Sequence, residues 1–134
     1  MDTLNVVGAI IINKNEILCA QRGKGKYEYV SFKYEFPGGK IEKGETPKEA
    51  LQRELIEEML LDIATDEMTY FHTAEHTYPD FKIVMHTFLC RTTDRNLTLK
   101  EHITVKWLSP KELDTLDWAA ADLPIVEELK NKGI

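Results

Sequence analysis

The stretch ETPKEALQRELIEEM, Glu45 to Met59, sets the reading of this chain. Thr46 is placed as a helix N-cap, Pro47 takes the first helical position, and Glu49 completes a Thr-x-x-Glu capping box. The body that follows, KEALQRELIEEML, is therefore predicted to be a helix. A helix turns about 100° per residue, so with Glu54 at zero, Glu58 lies about 40° to one side and Glu57 about 60° to the other. Three carboxylates share one arc, and Leu55, Ile56 and Met59 fall on the far side, expected to pack on a sheet. Like charges at this spacing destabilise a helix by about 0.2–0.5 kcal/mol per pair. A solvated acidic face is one explanation. Yet the i+4 neighbours of these glutamates are acidic or apolar, never lysine, and Gly38-Gly39 shortly upstream offers bare backbone carbonyls. Carboxylates with carbonyl and water oxygens suit a hard divalent cation, Mg²⁺ or Mn²⁺.

Around this helix the remaining elements follow from pattern. Leu4 to Ile12 reads as a buried strand, Asn13 to Asn15 as a turn, and Glu16 to Arg22 as the returning strand of a hairpin. Gly23 to Tyr34 has no clean period and reads as a loop. Glu35 to Glu42 is predicted as a short strand that breaks at Pro37-Gly38-Gly39. Ile63 to Arg91 reads as two longer strands joined at Pro79-Asp80, and Ile103 to Ser109 as another. Pro110 opens a short helix, and Asp122 to Lys132 is a closing helix with Pro124 in its first turn. Strands, helix, strands, helix define an α+β fold, a layered α/β/α sandwich. The 134 residues, 43% hydrophobic, suit one domain spanning 1–134.

Composition narrows the partners. Net charge is −6, from 23 acids against 17 bases, which disfavours long nucleic acid. A small phosphorylated substrate fits if divalent metal bridges it to the acids. Cys19 and Cys90 read as two reduced, half-buried thiols, with a Cys19–Cys90 bridge as the alternative. No basic leader precedes the first strand and no run reaches the length of a membrane span, so a soluble, cytoplasmic protein is expected.

The segment GGKIEKGETPKEALQRELIEEMLL resembles the Nudix box, G-x5-E-x7-R-E-U-x-E-E-x-G-U with U aliphatic. Gly39, Glu45, Arg53, Glu54, Leu55, Glu57, Glu58 and Leu61 fill the matching places. Leu60 stands where the pattern has glycine, in a left-handed turn that costs leucine about 1 kcal/mol or more. The departure touches the helix exit, not the metal ligands. GAIIIN, ILCAQR, EFPGGKIE, WLSP and ADLPIVEEL are similar to the MutT-like branch, and the EH before VKWLSP and the A-D-x-P near the C-terminus to bacterial CTP pyrophosphohydrolases. The resemblance implies helices sandwiching a mixed sheet. It also implies Mg²⁺-dependent hydrolysis, with Mn²⁺ able to substitute, of a nucleoside triphosphate to monophosphate and pyrophosphate, the substrate being CTP-like or an oxidised nucleotide. Hydrolysis of ADP-ribose or dinucleoside polyphosphates is the rival within the family, and a nucleotide-binding module without turnover is the rival outside catalysis. Such modules usually lose box glutamates, and all are present. Whether the chain is a monomer or a homodimer stays open.

By the same resemblance Glu54, Glu57 and Glu58 hold the metal, with the Gly38 carbonyl as a backbone ligand, and Arg53 holds box glutamates including Glu45. Gly39 and Glu45 support the box. Glu101, in LKEHITVKW, is either a solvated loop residue or a further ligand or general base, with His102 beside it. Arg22 is a candidate for phosphate or base, Phe36 matches a family position that borders the nucleobase, and Tyr78 and the Gly23–Tyr34 loop read either as a pocket rim or as a mobile surface loop. Asp122 has two compatible readings. One is the N-cap of the last helix; the other is an ionised acceptor favouring a base with an exocyclic amino group, cytosine or guanine.

Two weaker patterns are set aside. HTAEH, His72 to His76, matches an inverted zinc-protease motif that needs a helix, but its flanks are β-rich. GKGK and GGK lack the spacing of a phosphate-binding P-loop.

Overall fold

Every residue from Val7 to Asn13 is buried, because this strand has helices on both its faces and partners on both its edges. The computed structural model describes residues 1–134. The strands are β1 (Asp2–Asn13), β2 (Glu16–Arg22), β3 (Tyr34–Glu35), β4 (Gly38–Lys40), β5 (Met68–Thr77), β6 (Phe81–Arg91) and β7 (His102–Leu108). The helices are α1 (Pro47–Met59) and α2 (Leu123–Lys132). Side chains alternate across a strand, so β1 feeds two cores. Val7, Ala9 and Ile11 pack with Leu18 and Ala20 of β2 against Ala50, Leu51, Leu55 and Met59 of α1. Ile10 and Ile12 pack with Ile17 and Cys19 against Leu113, Trp118 and the Ile125, Val126 and Leu129 face of α2. Cys19 lies in the second core and Cys90 in the first; both thiols are free, buried and pushed by burial up to about 12. No helix is long and apolar enough to cross a membrane.

The sheet is mixed, in the order β3-β2-β1-β6-β5. One edge of β1 pairs in parallel with β6 from Asp2↔Phe81 to Ile12↔Arg91. Its other edge is divided. β2 holds only the end, Ile12↔Ile17 and Asn13↔Glu16, whereas β4 holds Val6, Val7 and Gly8. Where β2 diverges from β1 it pairs with β3 and β7, setting Ala20 opposite Glu35 and Arg22 opposite His102. This fork builds the site.

Four local expectations change. Gly38-Gly39 lies inside β4 rather than at a break, because only glycine fits there: a Cβ on Gly38 would overlap the Val7 carbonyl oxygen. The strand expected from Ile63 begins at Met68, after a 3₁₀ turn over Thr65–Glu67 whose acidic residues suit a turn better than a ladder. Pro110–Thr115 is a 3₁₀ turn capped by Ser109 and Glu112. Ile56 is 40% exposed instead of packed on the sheet. The buried face of α1 centres between Leu51 and Leu55, and Ile56 lies about 120° from that centre.

The helix start is as expected: Thr46 accepts from the Glu49 N–H at 3.2 Å and Glu49 accepts from the Thr46 N–H at 2.9 Å. At the exit, Leu60 adopts φ 52°, ψ 35°, with its N–H on Ile56 O and the Leu61 N–H on Leu55 O. A left-handed leucine costs about 1–2 kcal/mol, and glycine regains part of this against its larger unfolded-state entropy, about 0.4–1 kcal/mol. Since Leu60 is 58% exposed, Leu60→Gly loses little packing. The variant is expected to be more stable by about 0.5–1 kcal/mol in urea unfolding, and a lower midpoint would refute the strain.

Candidate active site

The three box glutamates divide by depth. Glu58, Glu54 and Glu57 lie about 40°, 80° and 140° from the centre of the buried face of α1. Their side-chain exposures follow that order, 3%, 16% and 55%. Arg53 organises the outer ones. Its Nε and Nη2 donate to the two oxygens of Glu45 at 2.7 and 3.0 Å, and its Nη1 to Glu54 at 3.0 Å and Glu57 at 3.3 Å. Nη2 also donates to the Lys40 carbonyl at 3.0 Å, tying the helix to β4. The arginine hydrogen bonds, with the Glu42 N–H, hold the Glu45 carboxyl below its usual range.

Glu58 points inward at the fork. Burial, then the charges of Glu54, Glu101 and Glu35, raises its carboxyl to about 9. The loop carrying Glu101 is fastened to the end of α1, where the Thr98 N–H donates to Met59 O and the Lys100 N–H to Glu58 O at 2.9 Å. These bonds satisfy carbonyls that a helix terminus leaves free. Gly39 completes the wall: a Cβ there would stand 2.5 Å from the carboxyl carbon of Glu54.

Three adjoining hollows share Arg22 and Glu35. A polar one of about 250 Å³ holds Gly38, Glu58, Glu101 and His102. A smaller one, about 130 Å³, is walled by Phe36, Gly38, Gly39, Met85 and Asp122. The third, about 300 Å³, adds Tyr27, Tyr78 and Phe81. Arg22, Phe36, Tyr78, Asp122, Gly38, Glu58 and Glu101 thus gather at one fork, while Glu45, Arg53, Glu54 and Glu57 stand behind or beside it.

Several details differ from the sequence reading. Asp122 does not cap α2 with its side chain; Oδ1 accepts the Phe36 N–H at 3.0 Å across the sheet. Fully buried, with Glu35 nearby, its carboxyl is pushed well above the ordinary carboxylate range, against the opposing pull of the Phe36 N–H and Arg22. The ionised acceptor expected from sequence is therefore disfavoured. Tyr78 is a buried wall, not a rim; its hydroxyl accepts the Ala121 N–H at 3.0 Å. The Gly23–Tyr34 segment is pinned by Tyr27–Tyr29–Tyr78 stacking at 5.2 and 5.1 Å and by the Tyr29 hydroxyl donating to Asp80. Phe36 is itself buried against Trp118, 4.8 Å away. His72 and His76 lie on β5, not on a helix.

Glu35 went unnoticed in the sequence. Its Oε1 accepts from Arg22 at 3.0 Å and its Oε2 meets His102 Nε2 at 2.9 Å. A glutamate within a strand, next to the buried Phe36, was the available signal.

The candidate ligands Glu54, Glu57, Glu58, Glu101 and the Gly38 carbonyl all offer oxygen, the preference of Mg²⁺ or Mn²⁺. No three of these side chains stand in ligating geometry in the structure. The fit rests instead on two features: Glu58 Oε2 is buried without any hydrogen-bond partner, and Gly39 leaves room against Glu54 that any side chain would fill. A buried carboxylate oxygen left bare is costly unless a cation or proton meets it.

The structure is thus an α/β/α sandwich, a mixed sheet between helices, with the glutamates of a capped helix standing at a polar cleft. The NUDIX domain model matches residues 2–129, and the chain belongs to the Nudix family, hydrolases acting on phosphoanhydride bonds. It is 34% identical over 131 residues to an 8-oxo-dGTP diphosphatase of Escherichia coli, covering 97% of this chain and 98% of that protein. It is 33% identical over 129 residues to the CTP pyrophosphohydrolase of the same organism, covering 95% and 91%. Among solved structures, the MutT protein of methicillin-resistant Staphylococcus aureus 252 is 42% identical at a TM-score of 0.71, covering 99% of this chain and 100% of that one. The Escherichia coli ORF135 protein superposes at a TM-score of 0.82 with 30% identity, covering 98% and 91%.

Proposed function

We propose that the protein hydrolyses a nucleoside or deoxynucleoside triphosphate, with Mg²⁺, to the monophosphate and pyrophosphate, and that its base is cytosine or an oxidised guanine. The observation that carries the base is the buried carboxyl of Asp122, held by the Phe36 N–H at 3.0 Å in the hollow beside Phe36, where burial favours its neutral form. A neutral carboxyl offers an acceptor and an O–H donor side by side. Cytosine presents an amino donor beside an acceptor nitrogen, and 8-oxoguanine presents N7–H beside O6. Ordinary guanine presents two acceptors at the corresponding edge and fits worse. One side chain thereby accommodates both substrates named for the two Escherichia coli relatives.

Glu54, Glu57, Glu58 and Glu101, with the Gly38 carbonyl, are assigned to the metal, which supplies charge neutralisation of the polyphosphate and a more acidic water. Arg22 is assigned to the phosphate or base edge, and Tyr78 to the wall behind the base. Arg53 keeps Glu45, Glu54 and Glu57 in register and does not touch substrate. Glu101 enters the same cleft as Glu58 from the opposite element, suiting it to accept a proton from the attacking water.

The test is product analysis on nucleoside triphosphates, their oxidised and methylated analogues, ADP-ribose and dinucleoside polyphosphates, with Mg²⁺ and with EDTA. Metal-dependent release of pyrophosphate and monophosphate from cytosine or 8-oxoguanine nucleotides is expected. Turnover confined to ADP-ribose or dinucleoside polyphosphates would discard the substrate and keep the chemistry. Asp122→Asn keeps a donor and an acceptor at one edge and is expected to keep the ranking of the bases. Asp122→Leu removes both and is expected to lower kcat/KM on the preferred base by about tenfold or more relative to the others. An unaltered ranking in the leucine variant would reduce Asp122 to its hydrogen bond with Phe36.

A further inference from the structure

Only three buried side-chain nitrogen or oxygen atoms in the molecule lack a hydrogen-bond partner: Arg22 Nε, Glu58 Oε2 and His102 Nδ1. All three belong to one connected chain of side chains. Arg22 Nη1 donates to Glu35 Oε1 at 3.0 Å; Glu35 Oε2 lies 2.9 Å from His102 Nε2; and that same nitrogen lies 4.0 Å from Glu58 Oε1. Buried polar atoms are almost always satisfied, so three orphans in one network mark a place built around something other than its own stability. The imidazole is 3% exposed and stands where β7 begins, opposite Arg22 of β2. Glu35 already accepts the charged Arg22, so its second oxygen also acts as an acceptor and Nε2 of His102 carries the hydrogen.

We propose that His102 is a positioning residue for the metal carboxylate Glu58: it is locked by Glu35 and sets where the Glu58 carboxyl lies in the cleft. This rests on the reading of Glu58 as a metal ligand. The packing gives the reason for a histidine. Glu58 sits at the buried edge of α1 with no lysine or arginine against it; the guanidinium of Arg53 serves Glu45, Glu54 and Glu57 on the outer side. Its facing polar neighbour is the imidazole, a rigid planar group held at its other contact by Glu35. Arg22 reaches the same Glu35, so the network joins the nucleotide side of the fork to its metal side.

The experiment is Mn²⁺ binding to the protein alone, without nucleotide, read from free Mn²⁺ by electron paramagnetic resonance, alongside thermal unfolding of the same samples. Loss of an outer partner of a ligand weakens metal affinity by about 10–100-fold. His102→Leu is expected to lose affinity in that range while remaining folded, and His102→Gln, whose amide N–H reaches the Nε2 position, to recover most of it. Equal Mn²⁺ affinity in wild type and folded His102→Leu overturns the proposal, as does a glutamine variant no better than leucine. If His102→Leu does not fold, Glu35→Ala removes the lock from the other end and must show the same weakening; unchanged affinity there overturns it too. Wild-type protein that binds no Mn²⁺ removes the metal reading itself, and the role of His102 with it.

Discussion

Glu58→Gln is expected to lower kcat with Mg²⁺ by on the order of 10³-fold while making the metal-free protein more stable above neutral pH. Both effects come from one carboxyl. Burial and the surrounding glutamates raise its folded pKa to about 9. The unfolded value is about 4.3. The folded state therefore binds the extra proton, and the stabilisation from Glu58 is complete below the unfolded value. It is lost as pH rises towards 9, at up to about 1.4 kcal/mol per pH unit. Urea unfolding of wild type in EDTA should show this decline between pH 5 and 9, and the glutamine variant a flatter profile. Mn²⁺ or Mg²⁺ should flatten the wild-type profile as well. Glu57→Gln is the control. Its side chain is 55% exposed, so the variant should lose turnover without gaining stability. A Glu58→Gln protein that turns over at the wild-type rate would end the metal assignment.

Arg53→Lys is the second large expected effect, this time on the frame. Five hydrogen bonds leave one guanidinium for Glu45, Glu54, Glu57 and the Lys40 carbonyl, two of them a fork onto Glu45. Lysine keeps the charge but is a point donor and cannot reproduce the fork. Since Arg53 and Glu45 are 24% and 20% exposed, loss of the fork is expected to lower the urea midpoint, by less than breaking a fully buried pair would. Displacing Glu54 and Glu57 by a fraction of an ångström is expected to lower turnover about 100-fold. A Lys variant with wild-type stability would show that the fork is ornamental, and wild-type turnover would show that the glutamates hold their places without it.

The sequence spoke clearly where a local rule has a single outcome. Thr46, Pro47 and Glu49 can mark only a helix start, and the spacing of Glu54, Glu57 and Glu58 puts them on one arc whatever lies around them. Their inequality was not legible, because the depth of a helical residue depends on the face the sheet selects. The same limit explains Ile56, apolar yet outside the buried sector. Gly38-Gly39 reads as a break by local propensity, but contact with Val7 and Glu54, distant in the chain, makes it a strand. Asp122 gave an N-cap signal that a bond from Phe36, 86 residues away, overrides. Glu35, and its link to the already suspected His102, were hidden for a related reason: the pairing lies in a register between β2, β3 and β7 that no neighbouring residues encode.

Cys19 and Cys90 lie in opposite cores of the sheet, with thiols pushed up to about 12. At neutral pH burial keeps both as protonated thiols while the chain is folded. Peroxide and alkylating agents therefore find almost nothing to attack until the chain opens. Because the two sulfurs report on separate layers, alkylation time courses at each position can register whether the α1 and α2 sides of the molecule come apart together or in turn.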